Sequence, residues 1–290
     1  MNPQSKTDRF TKVYLALWGI CILAAIFAVV MYKFGFRLSN NFEPVKVSSI
    51  KLSSNESGLQ LFLDNKSAQV PFRDNVYHIQ NITPGLHSLL VYKDGFWPWA
   101  KNINMPANAT QPVFAFIFPM QGLKTTQVDS DSSEYAGMVS AIDKNVLPQA
   151  KIYSEPSSDE SYVHWLLTAI PNHKVSADKS TALFSESDTI YLGWISQSEP
   201  PPHYFCIENP CTFQLPVTVS VEPIKNVDFY KDRRDVILFS AGAAIYAIET
   251  DRQGTQNFQP VYKGKNPYFY ETADGSLYIK DGTAIFKAVL

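Results

Sequence analysis

Hydrophobic residues follow two different patterns along the chain. The stretch from Val13 to Tyr32 contains 20 residues without a charge, whereas beyond residue 46 short apolar runs alternate with polar positions. An unbroken apolar run of that length predicts a helix about 30 Å long, which matches the hydrocarbon core of a bilayer. Alternation with a period of two predicts β-strands with one buried face. We therefore expect one transmembrane helix followed by a mostly β body.

Seven short strand-like runs lie between residues 47 and 120, most of them bounded by Gly, Pro, Asn or Asp. They are 47–52, 59–63, 76–79, 87–93, 96–99, 100–105 and 113–117. Closely spaced short strands with turn residues between them predict a small antiparallel β-sandwich.

Three segments of this region resemble the PEGA domain, a β-sandwich module of surface proteins. They are Leu-Phe-Leu-Asp-Asn at 61–65, Ile-Thr-Pro-Gly-Leu-His at 82–87 and Val-Tyr-Lys-Asp-Gly-Phe at 91–96. The resemblance covers about 47–120 and departs from the family at Asn65, Lys66 and Leu86. The residues that match its motif are Asp64, Pro84, Gly85, His87, Lys93, Gly95 and Phe96. With the N-terminal helix, the resemblance implies a membrane-anchored bacterial envelope protein and gives no ligand.

The C-terminal half repeats one pattern three times. Each copy has an acidic turn, an apolar strand, a tight turn and a strand that contains Ile followed by an aromatic residue, at Ile190, Ile245 and Ile285. The copies are 55 and then 40 residues apart, and a period near 40 is typical of propeller blades. Three copies are fewer than the usual minimum of about four blades. We expect an incomplete, propeller-like antiparallel domain over residues 159–290.

The predicted boundaries follow from these patterns. They are a cytoplasmic tail (1–12), the transmembrane helix with its interface (13–36), a polar stalk (37–46), the PEGA-like sandwich (47–120), a polar linker (121–158) and the propeller-like domain (159–290). A short helix capped by Ser157 or Ser158, with Trp165 and Ile170 on one side, is expected at the start of the last segment.

The orientation of the helix depends on residues far from it. Basic residues lie on both sides of the apolar run, so the positive-inside count is a tie. Cys206 and Cys211 stand in a Pro-rich segment, and we interpret them as a disulfide, which indicates an oxidising compartment. A metal site with His203 would need more ligands, and a redox motif normally has about two intervening residues. This places the body outside the cytoplasm. A cleaved signal peptide is the alternative, but Lys33-Phe-Gly-Phe-Arg37 is not a small-residue cleavage site.

Charge and motifs narrow the function classes. The net charge is -2, and the residues after position 37 are acidic on balance, which argues against nucleic-acid binding. The five histidines form no zincin pair, and the chain has no nucleophile elbow, phosphate loop or dinucleotide fingerprint. Acids such as Asp188, Glu249 and Asp281 are expected in solvated positions at strand ends. We expect neither a metal site nor a cofactor.

One aromatic run is a candidate binding patch. Phe96, Trp97 and Trp99 could stack on a sugar or a protein partner, or could belong to the core of the sandwich. The expected function is a non-enzymatic, single-pass membrane protein that binds or organises an envelope protein or polysaccharide. The alternatives are an accessory or sensor subunit of a membrane complex and a glycan-processing enzyme.

Overall fold

The computed structural model describes residues 4–38, 42–145, 173–186, 188–206, 210–252 and 254–289. The chain divides into two compact units. The first comprises Met1–Ser54, Lys66–His87 and Ile103–Ala115, and the second comprises Asn55–Asn65, Ser88–Asn102 and Phe116–Leu290.

One helix and ten strands come first in the chain. They are α1 (Gln4–Lys33), β1 (Phe36–Leu38), β2 (Pro44–Lys46), β3 (Ser48–Ser54), β4 (Gln60–Leu63), β5 (Lys66–Ser67), β6 (Phe72–Arg73), β7 (Val76–Ile82), β8 (Gly85–Tyr92), β9 (Trp99–Met105) and β10 (Thr110–Ala115).

In the first unit, the apolar part of α1 is exposed. Its segment Val13–Lys33 is long and apolar enough to cross a membrane, and large apolar side chains such as Leu15, Leu23 and Phe27 are exposed to solvent. The helix continues N-terminally to Gln4, beyond the predicted start, because Gln, Lys and Arg are good helix formers.

The predicted polar stalk (37–46) contains a β-hairpin, which the sequence pattern did not indicate. Strand β1 pairs antiparallel with β2, with Phe36 opposite Lys46. The Arg37 guanidinium donates to the carbonyl of Tyr32 (3.1 Å) and to the Asn81 side-chain oxygen at the end of β7 (2.9 Å). The amide of Val47 donates to the carbonyl of Gly35 (3.0 Å). These contacts hold the end of α1 to the sheet of the first unit.

That sheet has the strand order β10-β3-β7-β6. The inward side chains Ile50 and Leu52 of β3 and Tyr77 and Ile79 of β7 are buried, as period-two alternation predicts. The pairing of β10 with β3 is parallel, which differs from the purely antiparallel arrangement expected. In the second unit, β4 pairs antiparallel with the last residues of β8, with buried Leu61 opposite buried Val91.

The remaining elements all belong to the second unit. They are β11 (Thr126–Gln127), α2 (Ser133–Lys144), β12 (Lys174–Val175), β13 (Thr181–Glu186), β14 (Thr189–Trp194), β15 (Gln214–Val219), β16 (Ile224–Phe229), β17 (Val236–Ala241), β18 (Ala244–Glu249), β19 (Phe258–Lys263), β20 (Pro267–Glu271), β21 (Ser276–Asp281) and β22 (Ala284–Val289), with 3-10 turns at His203–Phe205 and Tyr230–Asp232.

These strands form three four-stranded sheets. Their orders are β12-β13-β14-β15 in the first C-terminal sheet, β16-β17-β18-β19 in the second and β11-β22-β21-β20 in the third. Each contains one of the predicted hairpins, and Ile190, Ile245 and Ile285 are completely buried. The mostly β fold class, with one N-terminal apolar helix, is therefore confirmed.

One continuous core joins the first and second C-terminal sheets. It includes Leu183, Leu192 and Trp194 from the first sheet and Val227 and Phe239 from the second. All six residues of β17 (Val236–Ala241) are buried, so both faces of this strand are covered and its sequence is nearly continuously apolar.

Part of the predicted linker is the helix α2, so the linker prediction is wrong for Ser133–Lys144. The Ser132 hydroxyl accepts a hydrogen bond from the Tyr135 amide (3.1 Å) and caps the helix. The residues Tyr135, Met138, Val139 and Ile142 have helical spacing and pack with Tyr278 and Ile285 of the third sheet. The helix predicted over 159–170 lies outside the described residues.

Two glycines give a matched test of this geometry. A Cβ at Gly264 would lie 2.0 Å from Oδ2 of Asp281, whose two carboxylate oxygens accept the amides of Lys265 and Asn266. A Cβ at Gly137 in α2 meets no atom within 4 Å. We expect Gly264→Ala to lower the free energy of unfolding by about 1–3 kcal/mol. Gly137→Ala should raise it by about 0.5–1 kcal/mol, because Ala favours the helix. Urea denaturation of the detergent-solubilised chain measures both, and equal effects of the two changes would contradict the prediction.

Candidate functional site

The aromatic run 96–99 does not form an exposed platform. Trp99 is 1% exposed, and its indole nitrogen donates to the Glu249 carboxylate (2.8 Å). Phe96 and Trp97 are half-buried, and the Lys93 ammonium lies 4.5 Å from the centre of the Phe96 ring. The candidate patch Phe96, Trp97 and Trp99 is therefore wrong at Trp99, because a buried ring cannot stack on a ligand.

Trp99 belongs instead to a buried polar cluster, which we call the Glu249 cluster. It consists of Trp99, Lys101, Glu249, Asp251 and Asn257. The Lys101 ammonium lies 2.9 Å from a Glu249 oxygen and 3.2 Å from an Asp251 oxygen. The Asn257 side chain donates to Glu249 (3.1 Å) and to the carbonyl of Ala100 (2.8 Å). The cluster thus ties β9 to the end of β18.

Burial sets the protonation behaviour of this cluster. Desolvation raises the pKa of Glu249, and the neighbouring Lys101 and the hydrogen bonds from Asn257 and Trp99 offset part of that increase. The expectation that Glu249 is a solvated acid at a strand end is wrong, because the residue is only 5% exposed. No sequence pattern indicated this, since its partner Lys101 lies 148 residues earlier in the chain. The Glu249 carboxylate has Lys101, Trp99 and Asn257 as partners, an arrangement typical of a structural ion pair.

The disulfide between Cys206 and Cys211 is present, as the sequence predicts. It follows the 3-10 turn His203–Phe205, whose Phe205 ring is completely buried against Trp194. The His203 imidazole reaches Asp251 of the Glu249 cluster at 3.4 Å. The disulfide therefore fixes a segment that is packed on the first C-terminal sheet.

The residues of the PEGA-like motif make local contacts. The Asp64 carboxylate accepts the Ser88 amide (3.0 Å), His87 contacts the carbonyl of Thr83 (2.7 Å) and Lys93 pairs with Glu56 (2.6 Å). Gly85, which follows Pro84, and Gly95 both have positive φ, a conformation that favours glycine. These contacts shape turns and strand ends.

Aromatic pairs on the C-terminal sheets are a feature that the sequence analysis missed. Each residue after the repeated Ile contacts a second ring: Tyr191 with Phe184 (5.6 Å), Tyr246 with Phe258 (4.8 Å) and Phe286 with Tyr262 (6.3 Å). Phe258 is 49% exposed and stacks nearly parallel to Tyr246, at 19°. The Ile-aromatic dipeptide was the available signal, because neighbouring strand residues point to opposite faces.

Two open grooves of about 420 Å³ lie on the second unit. The first is lined by Ile142, Asp143, Asn266, Tyr268, Lys280 and Gly282. In the second, Asp228 pairs with Lys174, Glu271 accepts the Lys231 amide (2.9 Å) and Asp274 accepts the Ser276 amide (3.2 Å). The acids of the second groove thus take part in structural contacts.

Comparison with known proteins gives no family. No protein-family model and no curated protein matches the chain. Among solved structures, a protein of unknown function from Bacteroides fragilis, described as membrane-associated, aligns at 9% identity and a TM-score of 0.21, over 83% of this chain and 93% of that one. The Bacillus anthracis TIE protein aligns at 12% identity and a TM-score of 0.22, over 84% of this chain and 48% of that one. Similarity at these levels does not assign a fold family or a function.

The raised pKa of Glu249 predicts a pH dependence of stability. At a pH below 4.5, the ordinary pKa of a glutamate, the Glu249 carboxyl group is protonated in both the folded and the unfolded chain. As the pH rises above 4.5, the group ionises first in the unfolded chain, because in the folded chain the charge would be buried. The stability contributed by this group is therefore present at low pH and is lost as the pH rises through the folded pKa. We expect the free energy of unfolding of the wild type to fall relative to that of Glu249→Gln from about pH 4.5 upward. Parallel pH profiles from urea denaturation would contradict this.

Proposed function

We propose that this chain is a single-pass, non-enzymatic membrane protein that displays its β-sheets outside the cytoplasm and binds an envelope protein or polysaccharide there. The exposed apolar helix α1 is the observation that carries the proposal. The resemblance to the PEGA domain, a module of surface proteins, supports it.

The length of α1 and its exposure support the proposal that it anchors the chain in a membrane. Twenty-one residues, Val13–Lys33, are helical, and none of the window is buried by the rest of the chain. Apolar area left in water costs about 25 cal/mol per Å², so a helix of this composition needs an apolar surrounding. The lipid bilayer is the surrounding that fits its length.

The disulfide supports an extracytoplasmic body. A cytosolic protein would keep Cys206 and Cys211 reduced under the usual thiol poise, whereas a disulfide persists outside. Under this proposal the short segment before Val13 lies in the cytoplasm, and the chain after Lys33 lies on the opposite side of the membrane.

The ring stack of Phe258 on Tyr246 supports a binding role. A half-exposed ring held flat by a second ring can stack on the apolar face of a sugar or on an aromatic side chain of a protein. The acids of the second groove, by contrast, have structural partners, which favours binding over hydrolysis.

Cysteine accessibility tests the topology. In a Cys21→Ser background, we expect Val221→Cys, at a fully exposed position, to react with a membrane-impermeant maleimide on intact bacterial spheroplasts. Ser5→Cys should react only after permeabilisation, because it precedes the helix. The reverse pattern would overturn the orientation, and loss of residue 5 from the mature protein would show that α1 is a cleaved signal sequence.

Site-specific photo-crosslinking tests the binding surface. A benzophenone amino acid in place of Phe258 should form an adduct with an envelope protein or polysaccharide in intact cells. The same amino acid in place of Phe72 is the matched control, because that ring is exposed to a similar extent (46% against 49%) but lies in the first unit. The binding role fails if position 258 yields no adduct, or if both positions yield the same adducts.

A further inference from the structure

The residues that follow α1 expose an unusual amount of apolar surface. Phe34, Leu38 and Phe42 are 73%, 65% and 83% exposed. Leu38 ends the short strand β1, and Phe34 and Phe42 lie on either side of it in the chain. Beyond Phe42, no nine-residue stretch of the described chain has more than two large exposed apolar side chains, and isolated ones are normal on protein surfaces. Three such side chains therefore fall within nine residues directly after a membrane-type helix.

Arg37 fixes the depth of this surface. Its guanidinium carbon lies 3.6 Å from the centre of the Tyr32 ring, and the group also donates to the carbonyl of Tyr32 (3.1 Å). Strand β1 is therefore held beside the last turn of α1 rather than extended away from it. When Val13–Lys33 spans the hydrocarbon core, this last turn lies in the headgroup layer, which is about 5–8 Å thick on each side.

The charged residues of the hairpin match that layer. Lys33, Arg37 and Lys46 are basic, and Glu43 is the acid among the described residues from Lys33 to Lys46. The Lys46 ammonium lies 5.7 Å from the centre of the Phe36 ring. Aromatic rings combined with basic groups are typical of membrane interfaces, where the rings contact acyl chains and the cations reach phosphates.

We propose that the β1–β2 hairpin lies in the lipid headgroup layer of the anchoring membrane, with Phe34, Leu38 and Phe42 against the acyl chains and Lys33, Arg37 and Lys46 at the phosphates. The inference rests on the proposed function, because it requires α1 to span that membrane. It gives the hairpin a lipid partner of defined chemistry, a phosphodiester headgroup above an apolar layer.

Depth-dependent fluorescence quenching tests the proposal on the full chain. Environment-sensitive maleimide dyes are placed on the native Cys21, near the middle of α1, and, in a Cys21→Ser background, on Leu38→Cys, Phe42→Cys and Arg73→Cys. Each protein is reconstituted into phosphatidylcholine–phosphatidylglycerol vesicles that carry spin labels either at a shallow or at a deep acyl position. Arg73 is the control in the same unit, because β7 and β3 run the length of the sheet, about 20 Å, between Asn81 at the hairpin end and the β6–β7 turn.

We expect the Leu38→Cys and Phe42→Cys dyes to be quenched more by shallow than by deep labels, and more than the dye at Arg73→Cys. The Cys21 dye should be quenched most by the deep label. If the deep label does not quench the Cys21 dye most, α1 does not span the bilayer and the proposed function fails. A second outcome is that the Cys21 dye is quenched most by the deep label, but the dyes at positions 38 and 42 are quenched no more than the dye at position 73. The hairpin is then in water, and only the present inference is overturned. Unchanged thermal denaturation of each variant shows that it has folded.

Discussion

The apolar helix α1 imposes the constraint on which the first unit depends, because nothing in the described part of the chain buries it. Its end must therefore be connected to a water-facing sheet across a short distance. The Arg37 guanidinium makes that connection by donating to the carbonyls of Tyr32 and Phe36 and to Asn81. One planar group with several donors can satisfy a helix end, a strand and a neighbouring sheet at the same time, which a lysine could not do with the same geometry. These hydrogen bonds hold the residues after α1 in a hairpin beside the sheet of the first unit.

The second unit contains a comparable connection built from a more costly interaction. Glu249 and Lys101 are both largely desolvated, and the hydrogen bonds from Trp99 and Asn257 satisfy the remaining carboxylate positions. Such pairs often contribute little net stability relative to apolar residues, but removal of one partner leaves an unpaired charge in the interior. The cluster therefore specifies which residues of β9 meet the end of β18. The cluster thereby specifies one arrangement of β9 and β18, because an apolar contact at the same place would be compatible with several arrangements of these strands.

Features that depend on residues close in sequence could be predicted, whereas contacts between residues far apart in the chain could not. The hairpins around Ile190, Ile245 and Ile285, the helix at Val13–Lys33 and the disulfide with a separation of 5 all depend on neighbours in sequence, and each was predicted. The contacts of Arg37 with Asn81 and of Trp99 with Glu249 span 44 and 150 residues, and no local sequence pattern indicates them. The helix α2 is different, because Ser132 and the spacing of Tyr135, Met138, Val139 and Ile142 were visible in the sequence. The polar residues around it obscured a pattern that was present.

The position of a ring within its strand decides which aromatic residues are available for binding. In the run 96–99 the number of rings suggested a platform, yet Trp99 faces inward because the buried Glu249 carboxylate takes its N–H. In the C-terminal sheets the Ile of each Ile-aromatic dipeptide occupies the core, so the ring after it must face the opposite side of the sheet. On that side the rings Phe184, Tyr262 and Phe258 contact Tyr191, Phe286 and Tyr246 and hold them in place. Phe258 belongs to such a pair and remains half exposed, so that it combines a fixed orientation with access to a ligand. Strand register, more than aromatic content, therefore identifies the surface on which recognition can occur.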